Sequence, residues 1–313
     1  MAVPCTIIMA ATVLTALMPP IYCLEETREP SRDPRRHREN METPRRDLPI
    51  VEETREPSRD PRRHGENMET PRRDLPIVNS SSFPLNMVPD AVDDMYKGCD
   101  KKMEDKVKTK YFKKESEGRF KEAWKTAEKC SNEKKDPEDK ALTKNHLKAI
   151  CAYTYIFFHS EFNQAVRTNR SIYSRSFKFH YLHFWLTTAI QILKKNQSCQ
   201  TAYRRTGDDY TGKVHNIIRF GTFASSSKLT NLYQFGNKTC FKIETCSGAY
   251  LKNYPTYGTK EEEVLIPPYE TFKITNITEG QNNFPDLKYC EKVFVLKSEL
   301  KDVSNLNCKL APK

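Results

Sequence analysis

Apolar side chains recur with a helical period in the part of the chain that follows residue 79. Phe120, Trp124 and Ala127 are spaced i, i+4, i+7, which places them on one face of a helix. Two further stripes of this kind are Leu147, Ile150, Cys151 and Tyr155, and Leu182, Trp185, Leu186, Ala189, Ile190 and Leu193. The stripes predict helices that pack around a common core. Asp136 followed by Pro137 predicts an N-cap and a first turn for the second helix.

The pattern changes after Cys199, where short runs of β-prone residues are separated by turn residues. These runs cover residues 241–245, 264–266, 271–274 and 292–296. Helices in the first half and strands in the second predict an α+β fold and not alternating βαβ units. Residues 79–313 are numerous enough to build one sizeable hydrophobic core.

The first 23 residues have the composition of a secretory signal peptide. Residues 2–18 are almost entirely apolar and small, and Pro19, Pro20 and Cys23 follow. This stretch is short and ends in proline, so it does not predict a membrane-spanning helix of about 20 residues. No second apolar segment occurs, and no apolar tail precedes Lys313. The sequence predicts a secreted, extracellular protein without a membrane anchor.

Residues 24–78 form a leader built from a tandem repeat. Residues 25–51 recur as residues 52–78, and the two copies differ only in Arg38 against Gly65. The copies hold 13 Arg and 14 acidic residues. Because so charged and proline-rich a segment cannot offset its ordering entropy by burial, we predict a disordered leader. Of the 52 basic and 41 acidic residues of the whole chain, 39 and 27 remain for residues 79–313, a net charge of +12.

Ten cysteines indicate an oxidising compartment. Cys5 and Cys23 lie in or beside the predicted signal peptide, and an even number remain, namely Cys99, Cys130, Cys151, Cys199, Cys240, Cys246, Cys290 and Cys308. They predict up to four disulfides, although spacing does not choose among the connectivities. The Cys and His spacings of zinc sites do not occur, so no metal is expected. Five sequons predict surface glycosylation at Asn79, Asn169, Asn196, Asn237 and Asn276.

Three local patterns in the strand-rich half carry candidate chemistry, and they occur in order along the chain. Residues 203–206 contain a double arginine, residues 219–227 end in three serines, and residues 261–263 are three glutamates that lead into an apolar run. Taken singly, an arginine pair is typical of a solvated surface, a serine run of a flexible loop, and three glutamates of an exposed charge cluster.

Together the three patterns resemble the signature of the arginine-specific mono-ADP-ribosyltransferases of the vertebrate cell surface and secretions. That signature is Arg, then Ser-x-Ser, then Glu-x-Glu. Arg204 matches the first part, Ser225 begins the second, and Glu261 with Glu263 forms the third. Runs that are also similar to the family lie at residues 162–167, 183–187 and 264–268, and the resemblance spans about residues 90–308.

The resemblance implies an α+β fold of the ADP-ribosyltransferase type, in which a helical N-terminal part precedes a mainly antiparallel β-sheet core. Residues 79–313 would be the catalytic domain. NAD+ would be the co-substrate, and a single ADP-ribose would pass to arginine side chains of extracellular or surface proteins, with release of nicotinamide. We expect a monomer that binds no nucleic acid. The family's two shared disulfides map onto Cys99 with Cys308 and Cys199 with Cys246, and we assign the remaining four cysteines as Cys130 with Cys151 and Cys240 with Cys290.

The resemblance also implies a role for each motif residue. Arg204 would bind phosphate oxygens of NAD+ with its planar fork of donors. Ser225 would hydrogen-bond the nicotinamide ribose, and Glu263 would place negative charge beside an oxocarbenium-like transition state. Alternate residues of a strand share a face, so Glu261 would enter the same cleft, recognise the acceptor guanidinium and assist its loss of a proton.

Residues 253–260 would form the loop that presents the acceptor, with Tyr257 as a candidate contact or, equally, a turn-packing residue. Two positions depart from the family pattern. Arg205 stands where a small residue is frequent, and Lys228 follows the serine motif where an apolar residue is common. Both departures leave the named groups in place, but they could alter the affinity for NAD+ or the choice of substrate.

Two other functions remain open at this point. The same site would be an NAD+ glycohydrolase if water replaced the acceptor, although a glutamate at position 261 favours arginine. Alternatively, the basic domain would be an inactive secreted module that binds anionic glycans or nucleic acid. The arginines of the leader also make it a candidate for self-modification, against the alternative of an inert spacer.

Overall fold

The computed structural model describes residues 82–155 and 158–312. The predicted signal peptide, the repeat leader and Asn79 therefore lie outside the described residues.

Helices occupy the first half of the described chain. They are α1 (Asp100–Lys106), α2 (Phe112–Glu115), α3 (Gly118–Cys130), α4 (Lys144–Tyr153), α5 (His159–Thr168) and α6 (His180–Lys194). A π-helical turn, Val107–Tyr111, joins α1 to α2. Within the described ranges no helix is both long and apolar enough to cross a bilayer.

The apolar stripes lie where the periodicity predicts, with two differences. Tyr155 lies beyond the end of α4, and Asp136 does not begin that helix. Asp136 and Pro137 instead open a short 3-10 turn, and α4 begins after Thr143. His146 accepts a hydrogen bond from the Thr143 backbone N–H at 2.9 Å, which satisfies a donor at the helix start. The predicted N-cap is therefore wrong by one element, because a proline after an acidic residue suits a 3-10 turn equally well.

Strands occupy the second half, apart from β1. They are β1 (Phe83–Pro84), β2 (Gln200–Thr206), β3 (Tyr210–Thr211), β4 (Ile217–Ile218), β5 (Ala224–Ser227), β6 (Thr239–Thr245), β7 (Ala249–Tyr250), β8 (Glu263–Ile266), β9 (Glu270–Glu279) and β10 (Lys292–Asp302). Eight of them form one sheet in the order β4-β9-β10-β6-β2-β5-β8-β7. All neighbours in it are antiparallel except β6 with β10. The predicted α+β class with a mainly antiparallel sheet is confirmed.

The sheet opens at one point, and this opening creates a cleft. β2 and β6 pair along their whole length, and β5 pairs with β8 at four positions. Between the two halves, β2 and β5 pair only where Tyr203 lies opposite Ser227. One apolar core packs under the half that contains β6, β9 and β10, whereas the helices pack on the half that contains β5, β7 and β8. The two halves diverge beyond this single pair.

The two ends of the described chain are fastened to each other by buried polar groups. Asp93 accepts hydrogen bonds from the backbone N–H groups of Asn305 (2.9 Å) and Leu306 (3.0 Å). Asp94 accepts one from the backbone of Cys308 at 2.9 Å. Arg219 is fully buried, and its guanidinium lies 2.6 Å from the other Asp93 oxygen. The C-terminal segment is thereby anchored to the residues that precede α1.

Four disulfides occur in the described chain. They join Cys99 to Cys308, Cys130 to Cys151, Cys199 to Cys246, and Cys240 to Cys290, the four pairs given above. Of the sequon asparagines, Asn196, Asn237 and Asn276 are exposed and Asn169 is half-buried.

Candidate active site

A cavity of about 310 Å³ lies in the opening between β2 and β5. The three sequence patterns meet there, since Arg204, Ser225, Glu261 and Glu263 all line it. Side chains that sequence reasoning did not select complete the walls, among them Tyr153, Thr154, His159, Asn163, Ser227, Leu229, Leu232 and Phe235. A cavity of this size suits a small-molecule substrate.

Arg204 bridges the gap where β2 separates from β5. Its Nη1 donates to the backbone oxygen of Ser225 at 2.5 Å, which orients the half-buried guanidinium across the cleft. A guanidinium carries five N–H donors. The other N–H donors of Arg204 have no hydrogen-bond partner within residues 82–155 and 158–312. They form a planar set of charged donors that fits phosphate oxygens.

A hydrogen-bonded network holds Ser225 in place. The Tyr153 hydroxyl lies 3.1 Å from Ser225 Oγ and donates to the backbone oxygen of Phe223 at 2.8 Å. Asn163 donates from Nδ2 to the Tyr153 hydroxyl at 3.1 Å and accepts from the Phe223 backbone N–H at 3.2 Å. Sequence reasoning did not select Tyr153. Asn163 lies in the run 162–167, and that run was the only signal for this support.

Glu263 is the first residue of β8, and its carboxyl is buried at the base of the cleft. Burial raises the pKa of this carboxyl to about 7. A hydrogen bond from Ser225 and the charge of Arg204 act in the opposite direction, and the nearby Glu261 adds to the rise. The carboxyl therefore titrates near neutral pH, where an ordinary glutamate is fully ionised.

Glu261 lines the same cavity but does not lie on a strand, so the strand argument for its orientation is wrong. β8 begins only at Glu263, and Glu262 takes a left-handed conformation with φ of 41°. This turn places Glu261 and Glu263 in the cavity, while Glu262 does not line it. Ser227 fixes the turn because its Oγ donates to the Glu261 backbone oxygen at 2.5 Å. Glu261 is half-buried, and burial raises the pKa of its carboxyl.

Tyr257 stands at the mouth of the cavity with 43% of its surface exposed. Its loop is anchored to α4, because the hydroxyl of Thr256 donates to the Cys151 backbone oxygen at 2.8 Å and its backbone N–H donates to Thr154 Oγ1 at 2.9 Å. Of the two readings left open for Tyr257, its placement on an anchored loop at the cavity mouth favours the contact.

Two further basic side chains lie near the cleft. His159, at the start of α5, lines the cavity, and burial together with the charge of Arg204 lowers its pKa, so it is neutral at pH 7. Lys228 turns away from the cavity, and its Nζ lies 3.6 Å from the centroid of the Tyr250 ring. The departure from the family pattern at position 228 therefore leaves the cavity wall unchanged.

This fold and cleft are those of the ADP-ribosyltransferases. The family described as NAD:arginine ADP-ribosyltransferase matches residues 85–291, and the chain belongs to it. Ecto-ADP-ribosyltransferase 4 of Pan troglodytes is 35% identical over 244 residues, which cover 72% of this chain and 75% of that protein. Ecto-ADP-ribosyltransferase 5 of Bos taurus is 33% identical over 241 residues, 72% of this chain and 73% of that protein.

The same comparison extends to solved structures. The crystal structure of the eucaryotic mono-ADP-ribosyltransferase ART2.2 has 32% sequence identity to this chain and a TM-score of 0.61. The match covers 72% of this chain and 98% of that one. Mutant forms of ART2.2 have been solved in complex with NADH and with NAD. NAD as a co-substrate therefore fits both the family and the donor set of the cavity.

Proposed function

We propose that this chain transfers a single ADP-ribose from NAD+ to arginine side chains of extracellular or surface proteins and releases nicotinamide. The observation that carries the proposal is the meeting of Arg204, Ser225, Glu261 and Glu263 in one cavity. These residues come from three separate sequence patterns, and only the opening of the sheet brings them together.

Arg204 binds the dinucleotide in this mechanism. Its free N–H donors face a cavity with no other arginine carboxylate pair to occupy them, and a planar fork can bind two phosphate oxygens at once. Ser225 is held by Tyr153 and so offers its hydroxyl to a ribose in a fixed position. Both residues orient the substrate, and neither is a nucleophile.

Glu263 supplies charge to the transition state. Cleavage of the bond between nicotinamide and ribose develops positive charge on the ribose ring, and a carboxylate in a desolvated pocket stabilises that charge strongly. Burial raises the pKa of Glu263, which shows that the protein alone does not favour the carboxylate. A cation beside it reverses that preference, so its effect is largest as the ribose becomes positive.

Glu261 receives the acceptor. A half-buried carboxyl near the cavity mouth can form a bidentate pair with a guanidinium, and Tyr257 lies beside it on the anchored loop. A raised pKa makes this carboxyl a better base toward the acceptor than an ordinary glutamate. The arrangement favours arginine over water as the acceptor.

The test is transfer of labelled ADP-ribose to agmatine, a small guanidino acceptor. We expect Glu261→Gln to reduce transfer by about 100-fold while hydrolysis of NAD+ persists, because general-base assistance of this kind contributes factors of about 100 or more. Glu262→Gln is the matched control, since its side chain is adjacent in sequence but outside the cavity. It should transfer at the rate of the unaltered protein.

Two outcomes would contradict the proposal. Hydrolysis without transfer by the unaltered protein would identify an NAD+ glycohydrolase that uses the same cavity. Neither reaction, with or without residues 25–78, would leave an inactive basic module, whose binding to anionic glycans should weaken steeply with salt.

We further propose that the repeat leader is a substrate of its own domain. Its 13 arginines precede the domain directly in the chain, so their effective concentration at the site would reach the millimolar range typical of short tethers. Incubation with NAD+ should add ADP-ribose within residues 25–78, at a rate independent of protein concentration. Peptide mass mapping is the measurement, and the Glu263→Gln protein is the control. If every modified peptide lay outside the leader, it would be a spacer.

We also propose that the protein is secreted and monomeric. The apolar N-terminal stretch and the four disulfides support export to an oxidising compartment.

A further inference from the structure

Arg205 follows Arg204 on β2 and is buried, with 6% of its surface exposed. No carboxylate pairs with it anywhere in the described ranges, and its partners are neutral. Nε donates to the Thr230 backbone oxygen at 2.9 Å, Nη2 donates to the Lys288 backbone oxygen at 3.1 Å, and Nη1 lies 3.2 Å from Cys290 Sγ. The guanidinium also stacks 4.6 Å from the centroid of the Tyr233 ring.

These contacts hold one wall of the active-site cavity. The segment 229–236 contributes Leu229, Leu232 and Phe235 to the lining. Arg205 fastens its beginning at Thr230, and Gly236 closes its end against β2. A Cβ at Gly236 would lie 2.4 Å from the backbone nitrogen of Gly207, so only glycine allows this approach. The wall therefore depends on a clamp at each end.

The far side of Arg205 is equally fixed. Cys290 is bonded to Cys240 of β6, which ties the loop that carries Lys288 to the sheet. Tyr289 of the same loop packs against Tyr233, with ring centroids 5.8 Å apart. Arg205 thus joins three segments, namely β2, the cavity wall and the disulfide-bonded loop.

The charge of Arg205 has no counter-ion, which is unusual for so buried a guanidinium. Burial lowers its pKa, which reports the same cost of desolvation. An anion bound in the adjoining cavity would reduce that cost, and the two phosphates of a dinucleotide are such an anion. Geometry and charge therefore favour binding of the same ligand.

We propose that Arg205 is a positioning residue that sets the affinity of the site for NAD+, by fixing the wall segment 229–236 and by adding uncompensated positive charge beside the cavity. This inference rests on the proposed function. It assigns a role to a position where the sequence departs from the family pattern.

The test compares Arg205→Met with Lys242→Met, which removes a cation from the neighbouring strand whose partner is Asp286 on the surface. We expect Arg205→Met to raise the Kd and the KM for NAD+ by about tenfold, the equivalent of one lost charged interaction, with kcat within about twofold. Arg205→Lys keeps the charge without the fork and should recover part of the affinity. Lys242→Met should match the unaltered protein.

An unchanged KM, or a fall in kcat and active fraction at constant KM, would overturn the inference, because a purely structural role alters the amount of folded enzyme and not its affinity. Tyr233→Ala removes an exposed ring from the same cluster without touching the core, so it tests the wall even if Arg205→Met folds poorly; a rise in KM of about threefold is expected. Failure of the proposed function is a separate result, in which the unaltered protein neither binds nor consumes NAD+.

Discussion

Glu263→Gln should lower transfer to agmatine by at least about 1,000-fold and, at pH 8, make the folded protein more stable than the unaltered one. Loss of activity follows because the amide has no negative charge to place beside the ribose, and single electrostatic groups of this kind contribute about 100- to 1,000-fold. The gain in stability follows because the substitution removes a carboxyl that is buried in the folded state.

The pH dependence of that gain is fixed by the direction of the shift. The pKa of Glu263 is about 7 in the folded protein and 4.5 in an unperturbed glutamate, so the folded state binds the additional proton between these values. The contribution of this carboxyl to stability is therefore present below pH 4.5 and is lost as the pH rises to 7. At pH 8 its ionisation costs up to about 3 kcal/mol of unfolding free energy.

Urea unfolding at pH 4.5, 6 and 8 measures this effect. The difference between Glu263→Gln and the unaltered protein should be small at pH 4.5, grow through pH 6 and level off above pH 7. Activity should follow the opposite course, since the carboxylate is the active form. The kcat/KM of the unaltered protein for NAD+ should fall about tenfold per pH unit below pH 7. A stability difference that is constant with pH would show that Glu263 is ionised in the free protein.

Arg219→Met should lower the unfolding free energy by about 3–5 kcal/mol, because it leaves the carboxylate of Asp93 buried beside a missing partner. The guanidinium also donates to the backbone oxygens of Met87 (2.6 Å), Val303 (2.7 Å) and Val88 (3.1 Å). All three acceptors would lose a charged donor at once.

Lys238→Met is the matched control. Lys238 pairs with Glu291 at 2.6 Å, the same separation as in the buried pair, but both side chains are more than 40% exposed. Surface pairs contribute about 0–1 kcal/mol, so urea unfolding should barely distinguish this variant from the unaltered protein. Equal losses in the two variants would mean that burial is not what makes the Arg219 pair important.

The sequence predicts the helices and the motif residues because both signals are local. Leu182 to Leu193 repeat with one period along a single helix, and Arg204, Ser225 and Glu263 each belong to a short recognisable pattern. Tyr153 and Asn163 support Ser225 from more than 60 residues away, and no local pattern contains that distance.

The misassigned features have the same origin. The left-handed turn at Glu262 is held by a hydrogen bond from Ser227, a residue of another strand, so alternation along β8 does not extend to Glu261. Arg219 belongs to the serine pattern in sequence, yet the fold uses it far from the cavity, as the partner of Asp93. Proximity in sequence to a catalytic motif does not distinguish these two uses.

The fastening of the chain ends determines the order in which this domain can complete its folding during synthesis. Asp93 and Asp94 emerge early, but their backbone donors, residues 305–308, are among the last to be made. Until then two carboxylates that the finished domain buries must remain hydrated, so the segment before α1 stays open while the helices form. Closure is then a late, post-translational event that couples the first and last residues of the domain. A nascent chain released before residue 303 would carry every motif of the cleft and still lack the groups that close the domain.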